Sequence, residues 1–308
     1  MIISASRRTD IPAFYMDWFF QRIREGMVCV RNPFSYHQVS RIALNPDAVD
    51  AIVFWSKNPA PLLARLEELE GYMYYIQFTL NAYGRDVEKN LPPLAQRVDT
   101  FRMLASRLGK ERVIWRYDPM GITPKYPAAW HLEQFAQLAE ALNGFTETCV
   151  ISFLDRYPSV EKNMKRLSMS PPDEKETVQL AGGIAAAARE NGMRPTACCE
   201  SAELASLGIG RAQCVDGDLL SRLLGCRLEG KKDRNQRNGC GCMESVDIGA
   251  YNTCRHGCAY CYAGGHSGPR REKTAGEGGG SWQRTSPLLG SYPQQEDRVT
   301  EKKGRLRK

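Results

Sequence analysis

The 308-residue sequence has only four histidines, His37, His131, His256 and His266, so general base chemistry through imidazole has few candidates. No plausible Ser/His/Asp arrangement is present, and neither is a glycine-rich phosphate loop. No G-x-G-x-x-G follows any strand-like run, which weakens a dinucleotide-binding reading. Nowhere do eighteen uncharged apolar residues follow one another, so a spanning helix and a membrane partner are not expected. The start, "MIISASRRTD", lacks a basic segment followed by a long apolar run, and a cytoplasmic location is the expectation.

Positive charge is also missing from most of the chain, despite a formal net charge of +7. Residues 264–308 carry +5 and residues 227–240 carry +3, leaving about −1 for everything else. That distribution does not describe a uniformly basic nucleic-acid face. A nucleic-acid partner stays open only through the connector bearing Lys231, Lys232, Arg234 and Arg237.

Up to about residue 200 a theme repeats: a β-branched or aromatic run, a polar cluster, then helical periodicity. Strands are expected at 1–6, 51–56, 72–80, 112–117, 148–154 and 193–199. Helices are expected at about 13–25, 60–70, 93–108, 128–142 and 173–191, several stopping at a glycine: Gly26, Gly71, Gly109, Gly144 and Gly192. Strands apolar on both faces that alternate with helices imply an α/β protein with a parallel sheet, here a partial six-unit (β/α) barrel over 1–200. Residues 201–262 read as a cysteine-rich appendage with two short helical pieces. Residues 263–308 read as a mostly disordered basic tail in which only "SPLLGSY" (286–292) has the apolar content to dock.

What the chain does have is cysteine: eleven, nine of them between Cys198 and Cys261. In a reducing compartment such a cluster is better read as metal ligands than as disulfides. The stretch "CRHGCAYCY" (254–262) sets Cys254, Cys258 and Cys261 in a C-x3-C-x2-C array. A structural zinc site wants four ligands, whereas three close thiolates suit an iron–sulfur cluster with one iron left open. A zinc site completed by His256, Cys240 or Cys242, or a purely structural cluster, is the alternative. Either would be a non-enzymatic module, with the basic connector and tail holding nucleic acid.

The array with Tyr260 before its last cysteine resembles the C-x3-C-x-aromatic-C signature of radical S-adenosylmethionine (radical SAM) enzymes. "SASRRTDIPAFY", "FWSKNP", "QFTLN", "WRYDP" and "CGCMESVDIGAYNTCRHGCAYCYA" are similar, over nearly the first 262 residues, to an uncharacterised bacterial domain-of-unknown-function family. That family's C-terminal cysteine cluster is likened to the radical SAM one, and "SK" and "RYDP" at strand ends resemble the spore photoproduct lyase branch. The resemblance implies a 4Fe-4S cluster on Cys254, Cys258 and Cys261, SAM on the open iron, and Tyr260 near the adenine. It further implies a 5′-deoxyadenosyl radical acting on an unknown substrate, and an electron donor such as flavodoxin or ferredoxin. Radical SAM barrels carry this loop after the first strand, and here it follows all six, so the expected barrel has its cluster loop permuted to the C-terminus. "SVDIGAY" (245–251) is placed to supply a short strand or edge leading into it.

Chemistry in parallel barrels gathers at the C-terminal strand ends. Arg116, Gln77 and Thr79 are the first candidates for SAM, as a carboxylate clamp and hydrogen-bond partners. Lys57 and Glu200 are the candidates for chemistry, with anion binding favoured over acid–base work for Lys57. Asp10 and Asp118 read as turn or cap residues. Cys199, Cys214, Cys240 and Cys242 supply the four thiols that a second iron–sulfur cluster or zinc ion requires, and of Cys198 and Cys199 only one is expected to point inward.

Overall fold

The computed structural model describes residues 1–198, 202–237, 239–264, 285–302 and 304. All six expected strands form: β1 (Ile2–Ala5), β4 (Ala51–Ser56), β5 (Tyr74–Thr79), β6 (Val113–Met120), β7 (Thr148–Phe153) and β8 (Arg194–Ala197). A hairpin that the sequence reading lacked, β2 (Met27–Asn32) and β3 (Ser35–Ala43), follows the first helical segment. Three strands come from beyond residue 200: β9 (Gly210–Arg211), β10 (Val246–Asp247) and β11 (Arg298–Lys302).

Eight strands pair in parallel in the order β10-β1-β4-β5-β6-β7-β8-β9. The sheet therefore has eight strands where six were expected. The cysteine-rich segment supplies both of its edges, so that segment is built into the sheet. Among the described residues no ladder joins β9 to β10, and the sheet is an open, barrel-like array.

The expected helices appear as α1 (Ile11–Phe14) with α2 (Met16–Arg24), α3 (Ala60–Leu63) with a 3-10 turn, α4 (Leu94–Leu108), α5 (Ala128–Ala141) and α7 (Glu174–Glu190). The short α6 (Glu161–Leu167) and α8 (Gly217–Leu224) complete the set. Each of the five expected glycine stops has positive φ, the conformation in which a Cβ is penalised. Among the described residues no helix is long and apolar enough to cross a membrane.

Period-2 alternation divides the strands between two cores. On the helix side, Ile3, Ile52, Phe54, Ile76, Phe78, Trp115 and Ile151 pack against α2, α4, α5 and α7. On the other side, Ile2, Ala51, Val53, Tyr75, Ile114 and Val150 pack against Val215, Leu219, Leu220, Leu228, Cys214, Cys240 and Cys242. The 212–243 segment thus fills the inner face of the sheet.

Residues 286–292 dock as expected: Leu288 and Leu289 are buried, and Trp18 Nε1 donates to Ser286 O at 2.9 Å. Further along, β11 pairs in parallel with β3. All five β11 residues are exposed. It is held by the backbone ladder and by the Arg31–Asp297 ion pair, not by burial, so its sequence carries no apolar signal.

Candidate functional site

The alternation that separates the cores also builds the site. Along the inner face each strand is apolar at its base and polar at its C-terminal end. Val53 leads to Lys57, Tyr75 to Gln77 and Thr79, Ile114 to Arg116 and Asp118, and Val150 to Ser152. Ser6, Lys57, Thr79, Arg116, Asp118 and Ser152 line one cavity of about 540 Å³ at that end of the sheet. Polar residues at a parallel-sheet mouth are where this architecture places ligands.

The cysteine loop enters the same cavity from β10. Asp247, which pairs in register with Ser4, gathers the first turn of the chain. Its carboxylate accepts from Ser4 Oγ (2.8 Å), Ser6 Oγ (2.7 Å), the Arg7 amide (2.8 Å) and Arg8 Nε (3.0 Å). Burial pushes this carboxyl's pKa up, but Arg8 and these hydrogen bonds outweigh it and hold the group below the ordinary aspartate value. Gly249 then passes so close to Ser6 that a Cβ would stand 2.0 Å from Ser6 Oγ.

The loop itself is tied down along its length. Tyr15 Oη donates to Thr253 O, Asn90 Nδ2 to Arg255 O at 2.7 Å, the Ala259 amide to Val87 O at 2.8 Å, and Asn163 Nδ2 to Ala259 O at 3.1 Å. Cys254, Cys258 and Cys261, all half-buried, line the cavity together. Burial pushes the Cys254 thiol up to about 11 and lifts Cys258 well above the ordinary value, Lys57 opposing only in part.

Two buried polar networks brace the loop. His256 Nε2 is 2.7 Å from Asp10 Oδ2; the same carboxylate caps α1 through the Ala13 amide (2.9 Å) and accepts from the Lys57 amide (2.8 Å). Asp10 is therefore a cap, as expected, and also the partner of a loop histidine. The second network centres on Glu88, which sequence reasoning missed. Lys57 Nζ lies 2.8 Å from Glu88 Oε1, Tyr260 Oη donates to the same oxygen, and Arg97 stands 3.8 Å from Oε2. Burial acts against every charge here, yet Lys57 is raised and Glu88 lowered by their pairing, so Lys57 stays protonated. Its charge is matched by the Glu88 carboxylate. Burial, with the Glu88 charge beside it, raises the Tyr260 hydroxyl well above its ordinary value. Tyr260 packs against Tyr83 with ring centroids 6.1 Å apart and still presents an edge to the cavity.

The other expected SAM partners divide. Thr79 lines the cavity. Arg116 does too, although its guanidinium is engaged by Asp118 (Nε to Oδ2 3.0 Å), Gln77 Oε1 (3.3 Å) and Cys214 Sγ (3.0 Å). Gln77 is buried, donates to Cys214 O at 3.0 Å, and lines a neighbouring pocket instead of the main one. Asp118, expected in a turn, also accepts from Ser152 Oγ.

Cys214, Cys240 and Cys242 line the floor of the same cavity, and with them stands Cys198. Cys198 continues the inner-face parity of Thr196 on β8. Cys199 and Glu200 lie outside the described residues. Hydrogen bonds from Cys198 and Cys242, with Arg116 and Arg7 beside them, hold the Cys214 thiol well below its ordinary range in spite of burial. Cys242 is correspondingly raised by its bonds to Cys214 and Cys240.

Among the described residues no three His, Cys, Asp or Glu side chains are already gathered to hold a metal ion. The donor set nevertheless suits an iron–sulfur cluster: three thiols on one short loop, a cavity beside them, and lining residues that carry buried polar atoms with no hydrogen-bond partner. Those atoms are Arg7 Nη2, Thr9 Oγ1 and His256 Nδ1. A buried polar atom without a partner is costly unless a ligand or water completes it.

Fold and site together define a parallel, barrel-like α/β protein with a cysteine-lined cavity at the C-terminal ends of its strands. The chain belongs to the DUF1848 family, a domain of unknown function, whose model matches residues 2–263. Comparison with curated proteins and with solved structures gives no match.

Proposed function

We propose that the protein is a radical SAM-type enzyme in which Cys254, Cys258 and Cys261 hold a 4Fe-4S cluster with one iron open. The observation that supports this best is that all three cysteines of the loop line one cavity of about 540 Å³ at the mouth of a parallel sheet, beside buried polar atoms without a hydrogen-bond partner. When bound, the cluster would supply the electron that cleaves SAM to a 5′-deoxyadenosyl radical. In this reading Arg7, Thr9 and Thr79, which line the cavity, would take the polar groups of SAM, with Tyr260 beside them and Arg116 acting by charge. Tyr157 and Tyr262, with ring centroids 5.4 Å apart, also line the cavity.

The finer reading of the fold belongs to the same proposal: a radical-SAM-like barrel with its cluster loop moved along the chain. β10 lies directly against β1, so a loop leaving β10 reaches the place that a loop leaving a first strand would reach. Flavodoxin or ferredoxin is the proposed class of electron donor, and the substrate is unassigned.

The test is anaerobic reconstitution, reduction and addition of SAM. The proposal predicts a brown, iron-containing protein that releases 5′-deoxyadenosine, and a Cys254→Ala, Cys258→Ala, Cys261→Ala variant that releases none. A colourless protein with one zinc on these three cysteines would refute it in favour of a non-enzymatic zinc module.

A further inference from the structure

We infer that Cys198, Cys214, Cys240 and Cys242 form a second, closed tetrathiolate centre for a single thiophilic divalent ion, of which zinc is the probe. The inference does not rest on the radical SAM reading, because none of the four belongs to the 254–261 loop. The thiols come from three separate places: the end of β8, the turn before α8, and the loop before β10. On the inner face Cys198 Sγ meets Cys214 Sγ, and all four cysteines line the same cavity.

The Cys198 and Cys214 sulfurs are 3.7 Å apart. Two thiolates on one tetrahedral ion with metal–sulfur bonds of about 2.3 Å are about 3.8 Å apart. A disulfide would need about 2.05 Å. Thiolates bound to different irons of one cluster stand farther apart than two thiolates on one ion, so the spacing favours a single ion.

Backbone donors and cations stand beside the sulfurs. The Val215 amide donates to Cys242 Sγ at 3.4 Å, and the Cys242 amide to Cys240 Sγ at 3.5 Å. Tyr75 Oη and Gln77 Nε2 fix the Cys214 carbonyl at 2.6 and 3.0 Å. Such outer contacts orient ligands in metal sites. Four thiolates around a divalent ion carry two net negative charges, and two guanidinium groups are at hand. Arg116 Nη1 is 3.0 Å from Cys214 Sγ, and Arg7, whose Nη2 is buried without a partner, interacts electrostatically with Cys242 and Cys214.

The fold also has a use for such a staple. Between α8 and β10 the described residues form no helix or strand, yet this stretch must cover the inner face of the sheet with few apolar side chains beyond Leu228. A structural ion supplies folding free energy where a core is thin.

The test uses the full chain carrying Cys254→Ala, Cys258→Ala and Cys261→Ala, supplied with zinc or, separately, with Co²⁺. The expected result is one ion per chain, a tetrahedral tetrathiolate Co²⁺ absorption spectrum, and protection of these four cysteines from alkylation until a chelator is added. Adding Cys214→Ser and Cys242→Ser should remove the ion and the spectrum. No stoichiometric ion in a folded triple variant, retention of the ion after the further substitutions, or a Cys198–Cys214 disulfide found by mass would overturn the inference. Failure of the first centre would appear separately, as loss of iron and of SAM cleavage in the unsubstituted protein.

Discussion

At Glu88 an ammonium, a guanidinium and a phenol share one carboxylate in a space that water does not reach: the glutamate is 1 % exposed. Removing one member of a buried ion pair leaves an uncompensated charge, so Glu88→Gln should destabilise the protein by about 3 kcal/mol, read from chemical denaturation. A loss below about 0.5 kcal/mol, the scale of a surface change, would show that the network is not structural. Asp247 gives a pH test. Its folded pKa is depressed, so its contribution is fully present above the ordinary aspartate pKa of about 4 and is lost as pH falls through the lower folded value. Asp247→Asn should therefore lower stability at neutral pH and flatten its fall below about pH 4. An unchanged acid limb would mean that the carboxylate does not hold β1 to β10.

At the scale of elements, the approach of β10 to the turn after β1 sets the position of the cysteine loop. Gly249→Ala places a Cβ 2.0 Å from Ser6 Oγ and 2.6 Å from Ser6 Cβ, so one of the two segments must shift. We expect a loss of about 1 to 3 kcal/mol by thermal or denaturant unfolding, together with weaker iron retention. Stability and iron content equal to the unsubstituted protein would contradict the account. Much of this level was legible beforehand. The six apolar strands, the glycine stops and the polar strand ends were readable because alternation and helix periodicity are local signals. The 245–251 stretch also supplies a short strand, as read. What could not be read depended on distant partners. Glu88 sits in the loop "GRDVEKN" and resembles any solvated glutamate until Lys57 and Tyr260 are brought to it. His256 and Asp10 are 246 residues apart, and β11 is an exposed, charged strand that only β3 defines. The inward position of Cys198 turned on one step of strand parity, which the sequence leaves open.

Across the whole molecule, the chain's two cysteine-bearing segments converge on one cavity although they occupy different parts of the fold. One lies on the inner face of the sheet, and the other follows the edge strand beside β1. Their proposed chemistry differs: a closed ion would hold the inner segment, and an open cluster would sit at the mouth. Proteolysis offers a check at this scale. Chelation of the inner ion should expose the 226–242 stretch to cleavage while the β1–β8 sheet stays protected, and uniform resistance with and without chelator would contradict that division.

The open iron is the claim on which the proposed chemistry turns, and electron paramagnetic resonance of the reduced, reconstituted protein tests it most directly. The account predicts that SAM changes the cluster signal, and that SAM labelled with ¹⁷O in its carboxylate gives hyperfine coupling to the cluster. A cluster signal identical with and without SAM, and with no coupling from the label, would contradict it.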